Sequence, residues 1–195
     1  MKKFVISLLS VIFLCAAATA QVLVGMTDTT AYFPQLEGRR VAVLANHTAV
    51  ARFCAGAPGA AADTAVRLPG AASDGTIHLV DLLHGRGFDV TGIFSPEHGF
   101  RGTADAGEHV ASSVDAATGI PIRSLYDGNT KRPSDEAMRS FDVLVVDMQD
   151  VGLRFYTYYI TMLRMMDACA ESGRSVIVLD LSLIHISEPT RLQLI

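Results

Sequence analysis

The run Ser-Pro-Glu-His-Gly-Phe-Arg-Gly at residues 95–102 sets a carboxyl, an imidazole and a guanidinium, on Glu97, His98 and Arg101, directly behind an apolar stretch. A carboxyl so placed can pass a proton to a leaving group, and a guanidinium fork matches a carboxylate in two-point contact. Three more apolar stretches end in polar residues: Asn46-His47-Thr48, Asp147-Met148-Gln149-Asp150 with Arg154, and Asp180. Asp147 and Asp150 are candidates for the second carboxylate of an acid/base pair. Asn46, His47, His98 and Gln149 offer hydrogen bonds to a polar ligand, and Tyr156 offers a ring face.

Each of these residues also has a plainer use. Glu97 would serve as a solvated acid, His47 and His98 as ties between loop and carbonyl, and Arg101 and Arg154 as ion-pair partners of Asp105 or Asp150. The tyrosines at 156, 158 and 159 would pack a helix entry. An acid at the end of a buried strand favours function for Glu97. The chain carries no Gly-x-Gly-x-x-Gly or Gly-Lys-Ser/Thr loop and no Gly-x-Ser-x-Gly, so no nucleotide cofactor or serine elbow is implied. Its histidines lack the spacing of a metal set, so no metal is read from them.

The elements that must position these groups alternate. Residues 41–45 and 142–147 read as buried strands, 88–94 as a strand that alternates and then turns apolar, 175–180 as a last strand, and 120–126 as a short extended piece that Pro121 confines to an edge or a strand start. Helices are expected at 76–84, from Pro133 onward, and at 158–172 with Ile160, Leu163, Met166 and Ala170 on the buried face. Strand-helix alternation predicts an α/β fold, a Rossmann-like, doubly wound and largely parallel sheet. Ligands of such sheets bind outside the carboxyl ends of the strands, where all four polar clusters fall.

The remainder bounds the setting. Residues 1–20 run from Met1-Lys2-Lys3 through an apolar stretch to small residues before Gln21, the order of a secretory signal. The stretch is shorter than the roughly 20 residues of a membrane-spanning helix, so a secreted or periplasmic protein without stable membrane insertion is expected, with lipidation at Cys15 the lesser alternative. Cys54 and Cys169 do not make a disulfide scaffold, and a net charge of −4 without a Lys/Arg cluster speaks against a nucleic-acid partner. Residues 52–73, rich in Ala and Gly, read as a mobile insertion within a domain spanning 21–180. Residues 181–195 lack both periodicity and turn chemistry and read as a non-native tail.

Four ordered blocks carry a family resemblance: Leu-Glu-Gly-Arg-Arg-Val-Ala-Val-Leu-Ala-Asn-His-Thr at 36–48, Phe-Ser-Pro-Glu-His-Gly-Phe-Arg-Gly at 94–102, Gly-Ile-Pro-Ile-Arg-Ser-Leu-Tyr at 119–126 and Asp-Met-Gln-Asp-Val-Gly-Leu-Arg-Phe-Tyr-Thr-Tyr at 147–158. Together they resemble the exo-β-N-acetylmuramidase (NamZ) family, long carried as a domain of unknown function. The resemblance implies a glycoside hydrolase that removes terminal N-acetylmuramic acid from the non-reducing ends of peptidoglycan fragments, a muropeptide or wall saccharide being the partner. It also implies Glu97 as the catalytic glutamate, a cleft shared with a second, C-terminal domain absent from this chain, and hence a fragment expected to lack half of that cleft. Arg101 or Arg154 would pair with the lactyl carboxylate. Asp147, Asp150 or the substrate's own acetamido group would assist at the anomeric carbon. A non-catalytic wall-sugar-binding module and a metal-dependent hydrolase are the alternatives.

Overall fold

A computed structural model of the chain describes residues 24–52, 75–101, 113–126, 132–150, 152–153 and 156–179. The expected signal segment, the insertion beyond Arg52, Arg154 and the tail therefore lie outside the described residues.

Six strands form the main sheet in the order β5-β6-β4-β1-β7-β8. They are β1 (Arg40–Ala45), β4 (Asp89–Ser95), β5 (Ser113–Val114), β6 (Pro121–Ser124), β7 (Val143–Asp147) and β8 (Ser175–Val178). Every neighbouring pair is parallel except β5 with β6. The fold is thus α/β with a mostly parallel, Rossmann-like sheet, as the alternation of apolar runs and helices predicts. β1 and β7 are buried along nearly their whole length, which only a sheet covered on both faces allows. Pro121 opens β6, where it has no ladder hydrogen bond to break, but β5 lies outside it, so β6 is not the edge.

Helices cover both faces. Helices α1 (Thr29–Leu36) and α2 (Leu79–Gly85) enclose a core that includes Tyr32, Leu36, Val43, Leu82, Leu83, Ile93 and Val145. Helices α3 (Asp135–Arg139) and α4 (Tyr158–Glu171) enclose the opposite one, with Leu44, Phe94, Phe141, Val146, Met165 and Cys169. Adjacent residues of one strand thus feed different cores, as pleating requires. Each large side chain so buried contributes roughly 1.5–3 kcal/mol.

The structure corrects the expected helix at 76–84. Thr76–His78 is a strand, β3, paired antiparallel with β2 (Val50–Arg52), and the helix begins only at Leu79. His78 marks the boundary: its Nδ1 accepts the amide of Val80 and so caps α2. The expected buried face of α4 is also corrected. Thr161, Met165, Ala168 and Cys169 face the sheet, whereas Leu163, Met166 and Ala170 are exposed and Ile160 is half-buried. Burial pushes the Cys169 thiol up to about 11, which keeps it a protonated core residue.

Candidate active site at the carboxyl ends of the strands

β1 lies between β4 and β7, and the connections after β1 and β6 run to opposite sides of it, so the carboxyl ends of these strands border the switch point of the sheet. Asn46 leaves β1 fully buried. Its Oδ1 accepts the Thr48 amide at 3.0 Å and the Thr48 hydroxyl at 2.6 Å, and its carbonyl accepts Nε2–H of His78 at 2.9 Å. Asn46 Nδ2 is buried and has no partner among the described residues. The Gln149 amide donates to Thr48 Oγ1 at 3.1 Å, which stitches the end of β7 to the end of β1. The side chains of His47 and Gln149 are exposed.

His78 uses both ring nitrogens in one neutral tautomer, Nε2 as donor and Nδ1 as acceptor, and it stands edge-on to Phe100. Burial holds its basicity below the ordinary imidazole value, against the opposing pull of the Asn46 carbonyl and Asp81. No sequence motif marked this residue. The signal that would have found it is a histidine at a strand-to-helix boundary two residues before a helical amide.

The loop after β4 turns tightly at Pro96–Gly99, with the Gly99 amide on the Pro96 carbonyl at 3.2 Å. His98 and Gly99 both have positive φ, 72° and 79°. A histidine in the left-handed region costs free energy that glycine would not, a form of strain that clusters at functional sites. The turn leaves Glu97 and His98 half-buried and brings Glu97 to the start of α4. There Thr157 donates its hydroxyl to Glu97 Oε2 at 2.7 Å.

Arg101, at the other end of this loop, is not brought to the same place. Its Nε and Nη2 bond both oxygens of Asp115 at 2.9 Å, and its Nη1 and Nη2 reach both oxygens of Asp81 at 3.3 and 3.0 Å. It also stacks on the Phe100 ring, 4.7 Å from the centroid. The partners differ from the Asp105 considered from sequence, and both edges of the fork are filled, so a substrate carboxylate finds no free two-point face. Burial pulls Asp115 upward, but the hydrogen bonds from Arg101 and Thr118 outweigh it and hold this carboxyl below the usual range.

The two aspartates expected as a second carboxylate are also placed. Asp150 accepts the Gly152 amide on Oδ1 at 2.8 Å and the Tyr159 amide on Oδ2 at 3.2 Å, so it ties its own loop to the first turn of α4. Asp147 is only 2% exposed, and strand alternation sets it on the face of Val143 and Val145, toward α1. Its charge adds to burial in pushing the Tyr32 phenol above its ordinary range. Tyr156 and Leu153 are both exposed, and the Tyr156 amide donates to the Leu153 carbonyl at 2.9 Å. Among the described residues, no group of three or more His, Cys, Asp or Glu side chains could hold a metal ion. A depression of about 470 Å³, lined by Glu37, Arg39, Arg86 and Asp89 among others, lies at the amino ends of the strands, away from all of these groups.

The mostly parallel sheet with helices on both faces defines a Rossmann-like α/β domain, with Glu97 on the turn that follows a central strand. The family model described as the N-terminal part of exo-beta-N-acetylmuramidase NamZ matches residues 63–184, more than half of the chain, and the chain belongs to that family. It is 48% identical over 102 residues to the peptidoglycan beta-N-acetylmuramidase NamZ of Bacillus subtilis (strain 168), a match covering 52% of this chain and 24% of that protein. Two solved DUF1343 family proteins of Bacteroides fragilis NCTC 9343 are also similar. The first has 42% identity and a TM-score of 0.60 over 83% of this chain and 35% of its own. The second has 32% identity and a TM-score of 0.59 over 81% of this chain and 34% of its own. The chain therefore spans about a quarter of the curated relative's length and about a third of each solved relative's.

Proposed function

We propose that this chain supplies the Rossmann-like domain of a secreted or periplasmic β-N-acetylmuramidase that removes terminal N-acetylmuramic acid from the non-reducing ends of peptidoglycan fragments, with Glu97 as general acid. The observation that carries the reading is the Glu97 carboxyl: half-buried, at the carboxyl end of a central strand, and braced on one oxygen by Thr157. The Bacillus subtilis relative, named for this activity, supports the substrate class.

Glycosidic cleavage passes through an oxocarbenium-like state, so a proton must reach the leaving oxygen as the bond to the anomeric carbon breaks. Glu97 gives that proton. Asp150 is committed to backbone amides and Asp147 is buried toward α1, which favours the acetamido group of the sugar as the partner at the anomeric carbon. Arg101 is committed to Asp81 and Asp115, which leaves Arg154 for the lactyl carboxylate. His47, His98 and Gln149 stand at the strand ends for hydroxyl or acetamide contacts, Asn46 braces the loop beneath them, and Tyr156 offers its ring to the pyranose.

The full-length protein, incubated with a chromogenic β-N-acetylmuramide and with the matching β-N-acetylglucosaminide, should release chromophore from the first and far less from the second. A chelator should leave the rate unchanged. Absence of release from the muramide under every condition would sink the reading, and loss of rate on chelation would turn it toward a metal-dependent hydrolase.

A further inference from the structure

The start of α4 is built against the usual rule. Threonine at the residue before a helix normally takes extended backbone and turns its oxygen onto an amide of the first turn. Thr157 occupies that position with φ −95° and ψ −13°, already helical, and its side chain caps nothing. The hydroxyl points the other way and donates to Glu97 Oε2 at 2.7 Å, sixty residues away in sequence. The capping duty passes to Asp150, whose Oδ2 accepts the Tyr159 amide. Thr161, buried in the next turn, donates its hydroxyl to the Thr157 carbonyl at 2.9 Å and meets the Tyr126 hydroxyl at 3.2 Å, which fixes the Thr157 backbone from behind.

From this arrangement we infer that Thr157 is a positioning residue for Glu97, one that holds its carboxyl in place while the proton is transferred. The inference rests on the general-acid reading of Glu97. When the glycosidic bond breaks, the proton passes from the Glu97 carboxyl to the leaving oxygen, and the electron pair of the C–O bond departs with that oxygen. Glu97 is left as a carboxylate whose Oε2 already holds a donor, and a hydrogen bond to an ion is stronger than one to a neutral acid. The contact thus strengthens along the reaction, the property that lowers a barrier.

The test uses Thr157→Val, which keeps the shape and removes the hydroxyl, and Thr157→Ser, which keeps the hydroxyl, both in the full-length protein. On a β-N-acetylmuramide with a poor, sugar-like leaving group, Thr157→Val should lower kcat about tenfold to a hundredfold with KM within about twofold. The loss should shrink with a nitrophenyl leaving group, which needs less proton donation. Thr157→Ser should recover most of the rate, and all three proteins should melt together, because Asp150 and not Thr157 caps the helix. A Val variant as active as wild type, or one whose loss is equal for both leaving groups, would overturn the inference while leaving Glu97 as the acid. Crystal structures give a readout independent of turnover. The Glu97 carboxyl should shift by more than about 0.5 Å in the Val variant and return in the Ser variant; an unmoved carboxyl in the Val variant would overturn the inference. Loss of activity on neither Glu97→Gln nor Thr157→Val would instead count against the general-acid reading itself.

Discussion

Glu97 and Arg101 lie on one loop, four residues apart, and the fold treats them in opposite ways. Arg101 is filled by four hydrogen bonds to two aspartates whose side chains are only 8% and 5% exposed, and it is sandwiched against Phe100. Glu97 remains half-exposed and receives a hydroxyl from the helix on the other face of the sheet. One end of the loop is an anchor, and the other stays at the surface. Residue type alone does not distinguish the two, since an arginine beside an acid is as plausible a substrate clamp as a structural pin. What separates them is depth: Arg101 is pinned by two buried carboxylates, whereas the Glu97 carboxyl stays half-exposed.

Substitution at each end should break this pairing in a characteristic way. The largest effect belongs to Glu97→Gln, which should cost about 10²–10⁴ in turnover, the usual contribution of a general acid, with no change in the urea unfolding midpoint. Arg101→Met should do the reverse. It strands two buried carboxylates and should cost about 2 kcal/mol of stability in urea unfolding, at the low side of a broken buried pair because the guanidinium is partly in water. Equal stability losses for the two variants would erase the distinction between anchor and working end.

A smaller effect concerns His78, which supports both the Asn46 loop and the helix that carries Asp81. Its folded-state basicity is lowered by burial, so the unfolded chain binds the proton more readily. Stability is therefore full above the ordinary imidazole value near 6.5 and declines as pH falls below it, by at most about 1.4 kcal/mol per pH unit. Unfolding midpoints measured between pH 7.5 and 5 should show the decline, and His78→Gln should flatten it. The smallest effect is expected at His98, where glycine relieves the left-handed strain. His98→Gly should raise stability by about 0.5–1 kcal/mol while turnover falls, and a loss of stability would show that the strain is absent.

Much of the sheet was legible because β1 and β7 are continuous apolar runs, which leave little room for another reading, and because β4 alternates and then turns apolar. The short elements were not. β2 and β3 are three residues each and α1 carries Pro34, so neither periodicity nor propensity marks them. The face of α4 was misjudged because apolar residues occur on both of its sides. Ile160, Leu163 and Met166 have helical spacing, but the face that packs inward begins at Thr161, a polar residue satisfied by Tyr126 and the Thr157 carbonyl, and continues through Met165, Ala168 and Cys169. At the strand ends, the position of Glu97 on the turn after β4 was readable from the apolar run before it. The duties of Arg101, Asp150, His78 and Thr157 were not, since each depends on a partner brought near by the fold.

The central claim is that Glu97 releases a terminal muramic acid residue by proton donation. Its most direct test is mass spectrometry of defined peptidoglycan glycan fragments incubated with the full-length wild-type protein and with Glu97→Gln, side by side. Fragments with N-acetylmuramic acid at the non-reducing end should each lose that one sugar with the wild type and stay intact with the variant. Fragments ending in N-acetylglucosamine should stay intact with both. Intact muramic acid ends with the wild type, or equal cleavage by Glu97→Gln, would contradict it.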